Sequence, residues 1–324
     1  MNKQNRILAA ILVVQIVILA VVYWPGTSVA EGQRLFEGLE ADQIVKLGIR
    51  GLGDEQIQMA KGADGWVLPE AGDYPIQEGK VEAFLEKMLS VRADRLVTGT
   101  RDSHKRLQVA DEEFERLVEF ELDDGTWRKL FLGSSPRYQV IHVRADDQDE
   151  VYMALGLSAS DAGTGVSNWI DTTYFSVPQE ELVAITLENG NGRFEFEKDE
   201  GGNWTMINLP AGETLLENNV RSLVTRVSLL RMQRPLGREE KGAYGLDDPN
   251  ARFTLLTRDD AGNEQTHIVR IGALLEGEQG FVVKSAASPY YVLMAEFTVK
   301  DLVERTMQDF IAVPETEETP TPTP

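Results

Sequence analysis

The longest uninterrupted apolar pattern lies near the amino terminus. From Ile7 to Trp24 eighteen residues pass without a charge, twelve of them Ile, Leu or Val, with Gln15 the one strongly polar interruption. As a helix this segment reaches about 27 Å at 1.5 Å per residue, close to the roughly 30 Å of a hydrocarbon core. At about −0.3 to −0.6 kcal/mol each, its branched residues favour insertion by on the order of −4 to −7 kcal/mol, more than one Gln costs. The pattern predicts a transmembrane helix over residues 7–24. Beyond it the chain changes character, to short alternating runs punctuated by Gly and Asp and broken twice by helical spacing.

Lys3 and Arg6 precede the apolar segment, no basic residue follows until Arg34, and Tyr23 with Trp24 stands where an interfacial aromatic pair belongs. The positive-inside rule then leaves residues 1–6 in the cytoplasm and exports the rest, a single pass through the cell (inner) membrane with the bulk of the chain periplasmic or otherwise extracytoplasmic. A cleaved signal peptide is the competing reading, since Ser28-Val29-Ala30 offers small residues to a signal peptidase. Against it, the apolar run exceeds the usual 7 to 15 residues and ends in two bulky aromatics.

The exported part repeats itself at offsets of 138 to 141 residues. Phe36 matches Phe175, and Ile44, Val45, Leu47 and Ile49 match Leu182, Val183, Ile185 and Leu187. Trp66 matches Trp204. The helical pattern Glu78, Val81, Phe84, Leu85, Met88, Val91 matches Glu217, Val220, Leu223, Val224, Val227, Leu230. Arg95, Leu107, Phe114 and Gly133 match Arg234, Leu246, Phe253 and Gly272, and Met153-Ala154 recurs as Met294-Ala295. One register held across strands, a helix and a closing hairpin reads as an internal duplication.

Each copy opens with a hairpin turned at Gly51 to Asp54 or Asn189 to Gly192 and leads to the Trp strand. An amphipathic helix follows, over residues 78–93 and 217–232, with apolar residues at i, i+3, i+4 and i+7. Further strands turn at Asp123-Asp124-Gly125 and Asp259-Asp260-Ala261-Gly262. The expected class is α+β: a transmembrane helix, then two duplicated units, each a mainly antiparallel sheet with one principal amphipathic helix. The expected divisions are a first repeat at 36–157, a linker at 158–174, a second repeat at 175–313, and a Thr/Pro/Glu tail at 314–324 that cannot bury a core.

Charge narrows the function. The 53 acidic residues outnumber 32 basic ones for a net charge of −21, which excludes a nucleic-acid partner, because counterion release rewards clustered Lys and Arg. Without cysteine there is no disulfide framework, Cys-ligated zinc, iron–sulfur cluster or thiol nucleophile.

Candidate chemistry is thin. Asp146-Asp147-Gln148-Asp149-Glu150 approaches a calcium loop but lacks the Gly that its turn requires, and reads as a solvated hairpin turn. His104, His142 and His267 are too far apart for any His-based zinc spacing. Gly156-Leu157-Ser158-Ala159-Ser160 lacks the second Gly of a nucleophile elbow. Gly51-Leu52-Gly53 runs into Asp54 and Glu55, which repel phosphate, and no Walker pattern occurs. Trp66 and Trp204 read as core anchors rather than a ligand platform. Asn203-Trp204-Thr205 fits a glycosylation pattern on a poorly suited strand.

Tyr244-Gly245-Leu246-Asp247-Asp248-Pro249, followed by the alternating strand Ala251, Phe253, Leu255, resembles the domain of unknown function 4340 (DUF4340) family, as do the Gly-Trp strand and the Leu-rich helix. In the first copy the motif Lys105-Arg106-Leu107-Gln108-Val109-Ala110 keeps only its Leu. Gly245 can take a positive φ, Asp247 or Asp248 can cap amides, and Pro249 stiffens the approach to the next strand, so the motif reads as a structural turn. The resemblance implies a membrane-anchored extracytoplasmic protein, often with two copies of the unit, encoded beside ABC-type transporter components of the gliding-motility kind. It carries over no catalytic, cofactor-binding or metal residue, and no binding residue is assigned. The expected function is a non-enzymatic interaction or assembly protein with the lipid bilayer and ABC-type transporter subunits as partners and no cofactor. The alternative is a binding module for a polysaccharide, peptide or cationic solute in a cleft between the repeats.

Overall fold

Short alternating runs between Gly- and Asp-rich turns give nineteen strands among residues 33–93 and 95–312, the part of the chain that the computed structural model describes. The first nine are β1 (Ile44–Arg50), β2 (Gln56–Gly62), β3 (Gly65–Leu68), β4 (Tyr74–Pro75), β5 (Leu96–Thr98), β6 (Arg116–Leu122), β7 (Trp127–Leu132), β8 (Val140–Ala145) and β9 (Val151–Leu155). They form one sheet in the order β4-β3-β2-β1-β6-β7-β8-β9-β5.

The later strands are β10 (Thr173–Ser176), β11 (Leu182–Asn189), β12 (Gly192–Lys198), β13 (Trp204–Met206), β14 (Leu229–Arg231), β15 (Arg234–Gly237), β16 (Ala251–Arg258), β17 (Glu264–Leu275), β18 (Gly280–Ser285) and β19 (Tyr291–Ala295). Eight of them form a sheet in the order β13-β12-β11-β16-β17-β18-β19-β15, and β10 pairs with β14. Matched strand for strand, this order repeats that of the first sheet apart from β4. By packing, the described residues fall into two compact units. One holds the residues up to Val45, Ile49–Asp54 and Glu82–Ala162; the other holds Lys46–Gly48, Glu55–Val81 and the residues from Gly163 on.

The turns follow their chemistry. Asp124 accepts a bond from the Thr126 amide at 2.8 Å and Asp259 one from the Asn263 amide at 2.8 Å, while Gly125 and Gly262 take φ of 84° and 85°. Sheet edges are kept short: β4, β5, β13 and β15 have two to four residues, and Pro75 and Pro235 lie in two of them, which denies a neighbouring chain a template to pair with.

In each unit one sheet face carries the larger core. Pairing of Val118 with Leu130 and of Leu132 with Val143 lines up buried residues in the first; Leu187, Phe253 and Val269 do so in the second. The opposite face carries a smaller cluster. In the first unit it comprises Leu107, Val109, Leu117, Phe131 and Val151, and in the second Tyr244, Leu246, Val282 and Tyr291.

Both small clusters depend on a glycine. A Cβ on Gly133 would stand 2.1 Å from the Leu107 carbonyl oxygen, and one on Gly272 would stand 2.1 Å from that of Tyr244. The covering segments therefore cross the strands closer than any side chain permits. A buried Arg144 pins the first crossing: its guanidinium lies 3.9 Å from the Phe131 ring centre and donates to the carbonyls of Val109 and Asp146 at 2.7 and 2.9 Å and to Asp111 at 2.5 Å. Lys284 occupies the matching position in the second unit, 5.4 Å from the Tyr291 ring, with its ammonium donating to the Ser285 and Ser288 carbonyls.

The expected α+β class with a principal helix in each unit is corrected here: the described chain is mostly antiparallel sheet with few helices. Those helices are Lys80–Leu89, the single turn His104–Leu107, Glu217–Ser228 and Glu296–Glu304. The first is shorter than residues 78–93 because Gly79 sits at φ 76°, outside the helical region, so winding starts only at Lys80. The second stops at Ser228 because its apolar continuation pairs instead as β14, with Leu230 opposite Phe175. A residue spaced for a helix face also fits a buried strand, and tertiary pairing decided between them. The second face of each sheet, moreover, is covered by one short turn of chain, reaching Leu107 in one unit and Tyr244 in the other, rather than by a principal helix. The transmembrane helix expected over residues 7–24 and the tail expected after residue 313 lie outside the described residues, among which no helix is long and apolar enough to cross a membrane.

Gly133→Ala and Gly272→Ala are each expected to destabilise the protein by about 1–3 kcal/mol, as overpacking against backbone does. Gly99→Ala, which meets nothing within 4 Å, should stay within about 0.5 kcal/mol of wild type. Denaturant titration of the three variants checks this; an unperturbed Gly133→Ala protein would show that the crossing is not tight.

Candidate functional site

Most residues singled out by chemistry prove to be occupied with holding the fold. Asp146 accepts bonds from the Arg128 side chain and the Lys129 amide at 2.8 and 2.9 Å, and Asp149 pairs with Arg101 at 2.6 Å. The acidic run thus turns β8 into β9 with its carboxylates spread outward, and no group of three or more metal-ligating side chains converges among the described residues. His104 is buried with Nε2 2.9 Å from the Asp149 carbonyl, His142 lies 3.1 Å from the Ser134 hydroxyl, and His267 lies 3.0 Å from that of Thr257. Burial pushes the His142 and His267 imidazoles below their ordinary range.

Trp66 on β3 and Trp204 on β13 are buried, as core anchors are. The Asn203 amide is tied to Asp199 in the turn before β13. Gly53 takes φ 71° in the turn between β1 and β2. In the family motif Gly245 takes φ 62° and Tyr244 and Leu246 are buried, while Asp247 and Asp248 point to solvent. Closure of that turn comes from residues outside the motif: Arg270 donates to the Leu246 carbonyl at 3.0 Å and Asn250 to the Gly272 carbonyl at 2.7 Å.

One serine of the elbow-like run has a different setting. Ser158 and Ser160 line a half-open groove of about 710 Å³ within the first unit, together with Lys87, Arg137, Tyr138 and Asp161. Three separate segments build it. Lys87 comes from the exposed side of the helix Lys80–Leu89. Arg137 and Tyr138 come from a tight turn between β7 and β8, closed by the Val140 amide on the Arg137 carbonyl at 3.1 Å, with Gln139 at φ 53°. The serines and Asp161 come from the chain after β9, which Gly156 ties to the turn through the Gln139 carbonyl at 3.1 Å.

Asp161 organises the polar side. It accepts bonds from the Lys87 ammonium at 2.7 Å, the Ser158 hydroxyl at 2.6 Å and the Ser158 amide at 2.9 Å, and Ser160 Oγ lies 2.9 Å from Ser158 Oγ. Burial by itself raises the Asp161 carboxyl, but the bonds from Lys87 and Ser158 outweigh it and hold the group below the ordinary carboxylate range. The carboxylate stays charged, and the Ser158 hydroxyl proton is committed to it. These groups present hydrogen bonds; they are poorly suited to moving protons. On the other side Tyr138 is 88% exposed, and the neighbouring Arg137 guanidinium has no ion pair among the described residues.

The family model described as Domain of unknown function (DUF4340) matches residues 66–249, more than half of the chain, and the protein belongs to that family. The match runs from the buried Trp66 to Pro249 at the end of the Tyr-Gly-Leu-Asp-Asp-Pro turn and includes the whole groove. No curated protein and no solved structure matches the chain.

Asp161 gives the groove a pH signature. Its depressed pKa contributes stability that is full above the unfolded carboxyl's pKa of about 4 and is lost as pH falls through the folded value. Asp161→Asn is expected to cost about 1 kcal/mol at pH 7, with the gap from wild type closing as pH drops below about 4. Urea titrations across pH 2.5–7 measure it; a gap that is independent of pH would mean that the carboxylate is not held charged by Lys87 and Ser158.

Proposed function

We propose that this protein is a non-enzymatic, extracytoplasmic interaction protein, tethered to the cytoplasmic membrane through its apolar amino-terminal segment and accessory to an ABC-type transport complex. The observation that carries the reading is the state of the groove: Asp161, Lys87 and Ser158 are already paired with one another, so the site is a preset hydrogen-bonding surface. A preorganised polar surface beside an exposed tyrosine and arginine is the composition of a binding hot spot, since ordering these side chains costs little at the moment of contact. The family membership and the basic residues ahead of the apolar segment support the tethered setting. The repeated strand order supports an origin by duplication.

The bilayer and the transporter subunits are the partners in this reading. Solubilising the full chain from its native membrane in mild detergent and purifying it by a carboxyl-terminal tag is expected to recover integral membrane subunits of a transporter. Recovery of the chain alone, under conditions that preserve other membrane complexes, would contradict it.

A further inference from the structure

The groove also indicates what it holds. Its floor offers hydroxyls and a charged pair, groups that both give and accept hydrogen bonds, while its rim offers one aromatic face. Tyr138 has nothing packed over it at 88% exposure, yet the turn that carries it is fixed at both ends, by the Val140 amide on the Arg137 carbonyl and by the Gly156 amide on Gln139. An uncovered ring carried on a fixed turn, beside hydroxyl-rich polar groups, suits a ligand with an apolar face and a rim of hydroxyls, which describes a pyranose ring. The volume of about 710 Å³ falls in the range of roughly 300–1,000 Å³ typical of small-ligand sites.

Charge selects among sugars. Lys87 is neutralised by Asp161, which leaves the Arg137 guanidinium as the uncompensated charge of the groove, on a protein whose net charge is −21. A guanidinium binds a carboxylate through two parallel N–H bonds, whereas a neutral sugar offers it weaker hydroxyl contacts. An acidic peptide would meet the same arginine, but the strands nearest the groove, β8 and β9, lie inside their sheet, paired with each other and with β7 and β5, so they offer no free edge to a peptide backbone.

We infer that the groove of Arg137, Tyr138, Ser158, Ser160 and the Lys87–Asp161 pair binds a carboxylated sugar chain, a uronate-bearing oligosaccharide, with the pyranose face on Tyr138 and the carboxylate on Arg137. This rests on the reading of the groove as a binding surface and names its ligand class. It differs from a cationic solute, which the overall charge alone would have favoured.

The test uses the full chain in detergent micelles with three hexameric probes: oligogalacturonate, neutral maltohexaose and hexaglutamate, titrated by calorimetry. Oligogalacturonate is expected to bind saturably, and at least about tenfold more tightly than maltohexaose. Arg137→Ala should erase that preference, and Tyr138→Ala should weaken binding by about tenfold. Both positions are exposed, so circular dichroism should show intact folding. The inference is overturned if oligogalacturonate fails to saturate by about 10 mM, if both variants bind as wild type does, or if hexaglutamate binds as tightly. Transporter subunits that co-purify with a chain that ignores oligogalacturonate would remove this inference alone. Uronate binding by a chain that co-purifies with no subunit would remove the assembly reading alone.

Discussion

The backbone carbonyls of Leu107 and Tyr244 occupy space that any residue larger than glycine at positions 133 and 272 would fill. That approach allows a single turn of chain to seal the second face of a sheet whose first face already carries a core. Without it, Phe131 and Val151 in one unit, and Val282 and Tyr291 in the other, would lie under a gap rather than under packed side chains. Cations reinforce the seal, Arg144 through the Val109 carbonyl in the first unit and Arg270 through the Leu246 carbonyl in the second. Two-sided covering with so little helix is what makes the protein predominantly β.

The strands, their turns and the repeated register are readable from the sequence because each rests on local pairing of residue type with conformation. Asp-Gly turns, alternating Val, Ile and Phe, and a Gly at 245 needing positive φ are of this kind. The weight of the helices was not readable. Leu230 satisfies helical spacing and strand alternation equally, and only its pairing with Phe175 across β10 and β14 decides for the strand. Nor does periodicity show that short turns, rather than principal helices, cover the second faces; Gly272 within the apolar end of β17 is a local sign of it, since a glycine in an otherwise apolar strand marks a close crossing.

The groove was hidden for the same reason. Lys87, Arg137 and Asp161 are separated by 50 and 24 positions and share no motif, so the helix, the β7–β8 turn and the chain after β9 become neighbours only through the sheet order. One local signal existed: Tyr138 is an aromatic flanked by Arg137 and Gln139 at the end of the turn-forming run Gly133-Ser134-Ser135-Pro136. Ser158, noticed for its likeness to a nucleophile elbow, donates its hydroxyl to Asp161.

The covered sheets supply rigidity, the glycine crossings supply the anchor for the β7–β8 region through Ser134 and Leu107, and the groove inherits its preset geometry from both. The most direct measurement is hydrogen–deuterium exchange of the full chain in its native membranes against the same chain purified alone in detergent. The account predicts slower exchange in the membranes at residues 135–139 and 156–161, with the 244–249 turn unchanged. Protection confined to other surfaces, with the groove exchanging equally in both preparations, would contradict it.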